Sequence, residues 1–240
     1  MSNVLDSAIP VACWSCHVAQ NDLTLFCSHC SKIQPAAAGD FFQVFGLKRA
    51  FHIDLEALER EFHRLSRRLH PDRFARSSGQ ERDWSLANTA LLNDAYRTLK
   101  DPIKRTEYLL RLEGVELGEQ SSQATEEARA TGKLKKQVVP PDLLEEVFEL
   151  NMHLEELRTQ KKTGEDDPAL LEEIGKAKLS LDEKYDALFN ELKAEWNKWD
   201  KSLDDGTQGE RQEILDKILD VLNRRNYVRN LVRDVNEALE

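Results

Sequence analysis

Apolar residues in the middle of the chain recur with the period of an α-helix. Leucine or phenylalanine occupies positions 55, 58, 62, 65 and 69, at spacings of 3, 4, 3 and 4 residues. These spacings place the apolar side chains on one stripe of a helix. Two further helices are predicted over about 81–99 and 102–112. We therefore expect a helical hairpin in this part of the chain.

The carboxy-terminal half shows three longer apolar stripes. They begin at Leu143, Leu170 and Ile214, and turn-forming residues separate them around Gly164 and Gly206. Three amphipathic helices joined by short turns are typical of a bundle. With ten glycines and seven prolines, the chain has too few turn residues for a sandwich or barrel of many short strands. The fold class is therefore predicted to be all-α, with the hairpin followed by a carboxy-terminal three-helix bundle.

Charge divides the chain into three segments. Residues 1–39 carry a net charge of −1, residues 40–112 carry +3 and residues 113–240 carry −12, within a total of −10. A negative chain does not attract the phosphates of nucleic acid by its bulk charge. No run approaches 18 consecutive apolar residues, so no membrane-spanning helix is expected. We expect neither nucleic acid nor a membrane as a partner.

The amino-terminal residues bear on the cellular compartment. The first 12 residues contain one aspartate and no lysine or arginine, unlike a secretory signal or an arginine-rich transit peptide. We therefore expect a cytoplasmic protein, or one of the mitochondrial matrix if a transit peptide is missing from this sequence. A reducing cytoplasm matters for the cysteines, because disulfides seldom persist there.

All the cysteines lie near the amino terminus, as two Cys-x2-Cys pairs. They are Cys13, Cys16, Cys27 and Cys30. Two such pairs can place four thiolates around one ion as a tetrahedron, a closed site with no open position for catalysis. Metal binding would also stabilise a segment with too little apolar content to fold alone. Residues 1–34 are thus predicted to form a small metal-bound cysteine module, with structural zinc expected and iron as the alternative. Disulfides or redox pairs are disfavoured by the expected compartment.

Two stretches are predicted to separate the segments. Residues 33–39 are rich in small residues, proline and glycine, which is typical of a tether. We therefore expect the cysteine module and the hairpin to have separate cores. Residues 113–139 are polar and lack steady apolar periodicity, which fits either a linker or an ordered loop packed between domains. The predicted domains are 1–34, 40–112 and 140–240, with a linker over 113–139.

A His-Pro-Asp triplet ends the first helix of the hairpin. Pro71 stops the helix after Leu69 and places His70 and Asp72 on an exposed turn. A charged helix face is most often simply solvated, and a proline after a helix is most often simply a stop. Here both occur together, which favours a docking surface that ends at the turn. The basic face opposite the apolar stripe spans about 100° of the helix and consists of Arg60, Arg64, Arg67 and Arg68.

This combination of basic helix and triplet resembles the J-domain family. The segment Phe41–Leu47 leads into the basic helix, and the stretch Leu92–Leu110 is very similar to the one that closes the J-domain in HscB-type co-chaperones of iron–sulfur cluster assembly. An acidic three-helix tail also fits that family. The cysteine module resembles the one that precedes the J-domain in eukaryotic members, which short bacterial forms lack. The resemblance covers essentially the whole chain.

The resemblance implies a co-chaperone that catalyses no reaction itself. The His-Pro-Asp turn and the four arginines would bind a DnaK/HscA-class heat shock protein 70 chaperone and stimulate its ATPase. The bundle would carry an IscU-type iron–sulfur scaffold protein to that chaperone. No phosphate-binding glycine loop or nucleophile motif points to an enzyme.

The resemblance also implies where the scaffold binds. In the family an apolar patch on the first and last bundle helices contacts the scaffold, and the matching positions here are Leu143, Leu144, Val147 and Tyr227. Phe148 joins this set, because Leu144 and Phe148 widen the apolar arc beyond a single packing seam. The alternative for these positions is ordinary bundle core, since apolar stripes usually pack inward.

Two other functions compete with this one. A general J-domain adaptor would deliver an unrelated client and would differ only in the tail. A zinc-ribbon protein that binds nucleic acid needs a basic ribbon bearing aromatic residues, but residues 1–39 carry a net charge of −1 and two aromatics, Trp14 and Phe26. We therefore discount the nucleic-acid function.

Overall fold

The structure is a computed structural model that describes residues 11–20, 24–36, 40–117, 140–164 and 167–240. Contacts within the chain divide it into two units, Met1–Leu112 and Glu113–Glu240. In the described residues no helix is long and apolar enough to cross a membrane. Most of the expected linker, residues 118–139, lies outside the described residues.

The cysteine module is built on two turns of the same conformation. The backbone amide of His17 donates to the Cys13 carbonyl at 2.9 Å, and that of Ser31 donates to the Cys27 carbonyl at 2.9 Å. His17 and Ser31 both take positive φ, 59° and 60°, which is uncommon for residues other than glycine. Each Cys-x2-Cys pair is therefore folded by the same backbone geometry.

Short antiparallel pairings support these turns. Strand β1 (Val11–Ala12) pairs with β2 (Ala19–Gln20), in the register Val11 with Gln20 and Ala12 with Ala19. A single bridge joins Phe26 to Ile33 around the second turn. Apart from this module, the described chain is built from helices and turns, as predicted.

Four helices follow in the first unit. They are α1 (Phe41–Val44), α2 (Leu55–Leu69), α3 (Gly79–Lys100) and α4 (Pro102–Leu112). Helix α3 packs against both α1 and α2. It begins two residues earlier than predicted, because Ser78 and Glu81 form a capping box ahead of the apolar pattern. The buried core between these helices includes Phe42, Phe51, Leu58, Leu65, Leu69, Leu92 and Leu99.

Three long helices form the second unit and confirm the predicted bundle. They are α5 (Leu144–Thr163), α6 (Pro168–Asp205) and α7 (Gln208–Leu239), and a 3-10 turn precedes α5. Helix α5 ends at Gly164, which has φ 73°, a left-handed conformation that glycine adopts without strain. The stripes predicted from the sequence supply the core, which includes Leu150, Leu154, Ile174, Leu192, Trp199, Ile218 and Val235.

The expectation of separate cores for the cysteine module and the hairpin is wrong. Ile33 and Gln34, which were expected in a tether, are 1% and 7% exposed. The Trp14 ring of the module meets the Trp84 ring of α3 edge-on, with centroids 5.5 Å apart. The small-residue composition of 33–39 does not show this packing, because the partner side chains are about 50 residues away in sequence. Residues 37–39 lie outside the described part of the chain.

Candidate docking surfaces and metal centre

The His-Pro-Asp triplet forms an exposed turn directly after α2. A 3-10 turn spans Pro71–Phe74, and His70 Nδ1 accepts a hydrogen bond from the Asp72 backbone amide at 3.3 Å. Proline forces the residue before it out of the helical region, and His70 accordingly has φ −53° and ψ 127°. The side chains of His70 and Asp72 are 58% and 90% exposed. The turn is therefore shaped locally and presents its polar groups to solvent.

Buried hydrogen bonds hold the end of α2 from the opposite side. The Leu69 carbonyl accepts from Ser85 Oγ at 2.6 Å and lies 3.5 Å from Thr89 Oγ1, both on α3. Carbonyls in the last turn of a helix have no partner within the helix, so these hydroxyls satisfy one of them. Because Leu69 directly precedes His70, α3 fixes the place where the exposed turn begins.

The four arginines of the basic face all lie on α2, in different surroundings. Arg60 and Arg64 pair with glutamates of the same helix at 3.5 Å and 2.5 Å. Arg67 is exposed, as are Arg60 and Arg64. The guanidinium of Arg68 instead stacks on the Phe26 ring of the cysteine module, 4.0 Å from its centroid. Three of the four predicted arginines are therefore open to a partner, and the fourth is half-buried.

The thiols of the cysteine module form one cluster. The Sγ atoms of Cys13 and Cys30 are 3.7 Å apart, as are those of Cys16 and Cys27. All four lie within 4.8 Å of one another. Zinc bound tetrahedrally at about 2.3 Å from each sulfur places the sulfurs about 3.8 Å apart, so the four cysteines fit such an ion. None of them forms a disulfide, whose sulfur atoms would lie about 2.0 Å apart.

Burial and hydrogen bonds give these thiols unequal acidities. Burial alone would raise the pKa of Cys13, but backbone amides of its turn and neighbouring thiols lower it to about 6. The backbone amide of Cys30 lowers the pKa of Cys27 against the effect of burial. At Cys16 the Val18 amide lowers the pKa, yet burial and the other thiols raise it to about 12. A cation that binds all four thiols as thiolates would displace the protons they carry.

The residues expected to contact a scaffold fall into a buried group and an exposed group. Leu143, Val147 and Tyr227 are 4%, 6% and 5% exposed, which favours the bundle-core alternative for these three. Leu144 and Phe148 are 54% and 66% exposed, so they lie on the surface. Burial raises the pKa of the Tyr227 hydroxyl, consistent with its place in the core.

Met152, which was not among the residues expected from the sequence, extends this surface. It is 53% exposed and follows Leu144 and Phe148 on α5 at a spacing of four residues. Residues four apart lie on one face of a helix. The spacing alone could have shown it, because the same step of four leads from Leu144 to Phe148. We call Leu144, Phe148 and Met152 the α5 surface patch.

These elements together define a class of protein. A helical hairpin that presents an exposed His-Pro-Asp turn, preceded by a four-cysteine cluster and followed by a three-helix bundle, is the architecture of a J-domain co-chaperone with its own carboxy-terminal bundle.

Comparison with known proteins then identifies the family. No family model matches the chain. The chain is 37% identical to the iron-sulfur cluster co-chaperone protein HscB of Mus musculus over 116 residues, which are 47% of this chain and 50% of that protein. It is 33% identical to the co-chaperone protein HscB homolog of Shewanella sp. (strain ANA-3) over 146 residues, which are 55% of this chain and 84% of that protein. The chain therefore belongs to the HscB co-chaperone family.

Solved structures show the same fold. The crystal structure of human HscB matches with a TM-score of 0.63 at 22% identity, over 95% of this chain and 98% of that chain. The HscB chaperone from Vibrio cholerae matches with a TM-score of 0.52 at 24% identity, over 83% and 96%. By sequence, the match spans about half the length of the Mus musculus and Arabidopsis thaliana relatives. The all-α fold expected from the sequence is thereby confirmed.

Proposed function

We propose that this protein is a targeting co-chaperone of iron–sulfur cluster assembly. Its J-domain stimulates the ATPase of a DnaK/HscA-class chaperone, and its bundle delivers an IscU-type scaffold to that chaperone. The observation that carries the proposal is the exposed His70–Asp72 turn at the end of a basic helix, with both side chains more than half exposed. The relatives named iron-sulfur cluster co-chaperones support the choice of client.

The chaperone is recognised through surface charge and a rigid turn. Arg60, Arg64 and Arg67 are exposed on α2, and such charges steer an acidic partner surface towards contact. The hydroxyl groups of Ser85 and Thr89 hold the end of α2, so little conformational freedom is lost when the turn docks. The chain accelerates the partner's hydrolysis and catalyses no reaction of its own.

The scaffold is recognised through the α5 surface patch. Its three side chains are each more than half exposed, and a cluster of large exposed apolar residues commonly marks a protein interaction site. Leu143 and Val147 are buried in the bundle core and are therefore not part of this surface. We propose this patch in place of the buried positions that the resemblance implied.

The cysteine module holds one structural zinc ion. Four thiolates at tetrahedral spacing suit zinc, and iron of the same geometry is the competitor. Elemental analysis of protein purified without added metal should find close to one zinc per chain. One iron per chain would assign the site to iron, and a metal-free module that is folded would contradict a structural metal. The cytoplasmic location stays a prediction.

A steady-state ATPase assay tests the chaperone interaction. ATP turnover by a DnaK-class chaperone is measured with increasing amounts of the full chain, as wild type and as His70→Gln. Wild type should raise turnover, and His70→Gln should abolish the increase while melting at the same temperature, because the side chain is 58% exposed. His52→Gln changes another exposed histidine, just before α2, and is the matched control.

The same assay separates the possible clients. Adding an IscU-type scaffold to chaperone and wild-type chain should raise turnover further. Stimulation by the chain with no effect of the scaffold would favour the general J-domain adaptor. Full stimulation by His70→Gln at saturating concentration would contradict the proposed role of the turn.

A further inference from the structure

The cysteine module is packed against the hairpin through aromatic contacts. Arg68 of α2 stacks on Phe26 at 4.0 Å from the ring centroid, and Trp84 of α3 meets Trp14 edge-on at 5.5 Å. A hydrogen bond from Trp14 Nε1 to the Ile33 carbonyl at 2.7 Å fixes the ring against the module, and 39% of the residue is exposed. Each of the two helices of the hairpin therefore contacts an aromatic ring of the module.

Polar contacts join the same two surfaces. Lys32 Nζ lies 3.0 Å from Glu81 Oε1, and this hydrogen bond lowers the pKa of Glu81, the carboxylate of the α3 capping box. Asn88 is fully buried, and its Nδ2 donates to the Gln34 backbone carbonyl at 2.9 Å. Separating such a buried donor and acceptor is costly, because each is left without its partner.

Gln34 connects this contact to the thiol cluster. Its Nε2 lies 3.5 Å from Cys13 Sγ, and both residues are buried. A hydrogen bond from a neighbouring group to a metal ligand orients that ligand. One residue thus touches a metal-ligating cysteine with its side chain and α3 with its backbone.

Helix α3 in turn holds the His-Pro-Asp turn. Ser85 lies three residues before Asn88 and donates to the Leu69 carbonyl. A continuous set of buried contacts therefore runs from Cys13 through Gln34 and α3 to the residue that precedes His70.

We propose that the cysteine module and the α2–α3 hairpin fold as one cooperative unit, so that metal binding at the four cysteines stabilises the hairpin that presents the His-Pro-Asp turn. Asn88 and Arg68 are the positioning residues of the hairpin in this coupling. Without metal, so small a module cannot hold its shape, and its contacts with both helices are lost. Linkage between binding and folding is reciprocal. If metal binding strengthens the contacts between the module and the hairpin by some factor, those contacts raise the affinity of the cysteines for metal by the same factor.

The zinc affinity of hairpin variants tests the coupling. Zn²⁺ is titrated into the reduced, metal-free full chain in competition with a chromophoric chelator. Asn88→Ala should weaken zinc binding about fivefold to tenfold, the factor that one buried hydrogen bond carries. Arg68→Ala should weaken it about threefold, because a half-exposed cation–π contact is worth less. Neither residue is a metal ligand, so independent folding of the module predicts no change.

Two matched variants distinguish coupling from a general loss of stability. Ser202→Ala removes a partly buried hydrogen bond of α6 in the bundle, to the Trp199 carbonyl, and Arg97→Ala removes an exposed arginine of α3 paired with Asp94. Both should bind zinc as wild type does, and melting of each zinc-loaded variant shows that it is folded. Wild-type zinc affinity in folded Asn88→Ala and Arg68→Ala would overturn the proposal. A wild-type chain that binds no zinc would instead overturn the assignment of the cysteines as a zinc site.

Hydrogen exchange gives a second readout that needs no variant. Exchange in peptides from α2 and α3 is compared for the zinc-loaded chain and for the chain stripped by a chelator under reducing conditions. Amides near His70 and at the start of α3 should exchange at least about tenfold faster without zinc, while those of α6 and α7 should not change. Faster exchange confined to residues 11–36 would show that the module unfolds alone and would overturn the proposal.

Discussion

The four arginines of the basic face of α2 differ in how far contacts within the chain already compensate their positive charge. Arg60 and Arg64 are paired with glutamates of their own helix, and Arg68 is stacked on an aromatic ring. Arg67 is exposed, its Nε donates to a backbone carbonyl at 3.2 Å, and no carboxylate lies within ion-pair distance of it among the described residues. Its charge is therefore the least compensated of the four.

Reversing this charge should weaken chaperone docking more than reversing any other arginine of the face. In the ATPase titration, Arg67→Glu should raise the half-maximal concentration about tenfold at low salt, because surface charges steer association. The difference from wild type should shrink towards about 1 M salt, where the Debye length falls to about 3 Å. The experiment is a series of titrations at increasing salt concentration.

The control for this reversal is Arg97→Glu, which makes the same change on exposed α3 surface. It should leave the half-maximal concentration nearly unchanged at every salt concentration. Equal effects of the two reversals would mean that net charge matters and that the basic face of α2 is not the docking surface.

Helices were largely predictable from the sequence, because their signals are local. The apolar stripe of α2 and Pro71 set its end at Leu69, and Pro102 marks the start of α4. The thiol cluster was predictable for the same reason, since two Cys-x2-Cys pairs fix their own turns. The docking of the cysteine module was not predictable, because it depends on pairs such as Gln34 with Asn88, which come together only in the folded chain.

Exposure on α5 was predictable only in part from the sequence. Leu143 and Leu144 are adjacent leucines at the start of one apolar stretch. The resemblance assigned both to the scaffold contact, although the helical pattern placed Leu144 beyond the packing seam that contains Leu143. In the structure Leu143 is 4% exposed and Leu144 is 54% exposed. Adjacent side chains on a helix point about 100° apart. Which of the two is buried depends on where the neighbouring helices pack.

These adjacent leucines give a matched test of the α5 surface patch. Leu144→Ala combined with Phe148→Ala should melt like wild type but bind an IscU-type scaffold about 100-fold more weakly, since each truncated hot spot costs about 1–2 kcal/mol of affinity. Leu143→Ala should instead lower the free energy of unfolding by about 2–5 kcal/mol, because it opens a cavity in the core. Titration calorimetry and thermal melting are run on the same samples.

Each outcome of this test has a different meaning for the α5 surface patch. A collapse of the melt in the double variant would place Leu144 and Phe148 in the core. A stable double variant with wild-type affinity would show that the scaffold docks elsewhere or is not the client. Met152→Ala, added to the double variant, should weaken binding further if the patch extends along α5.

The whole molecule joins two units of opposite charge. Residues 1–112 carry a net charge of +2, and residues 113–240 carry −12. In the proposed function the first unit contacts the chaperone and the second contacts the scaffold. Joining both on one chain raises the effective concentration of scaffold at the chaperone to about the millimolar range that short connections give.

Cutting the chain between the units should therefore separate stimulation from delivery. A protease site introduced within residues 118–139 allows the full chain to be cleaved after it has folded, and the uncleaved protein is the control. Cleaved protein should keep its own stimulation of the chaperone ATPase and its affinity for the scaffold. It should lose the additional stimulation by scaffold at about micromolar concentrations, far below the effective concentration of a tether. If separated units at those concentrations retained the full effect of the scaffold, covalent linkage would not be the means of delivery.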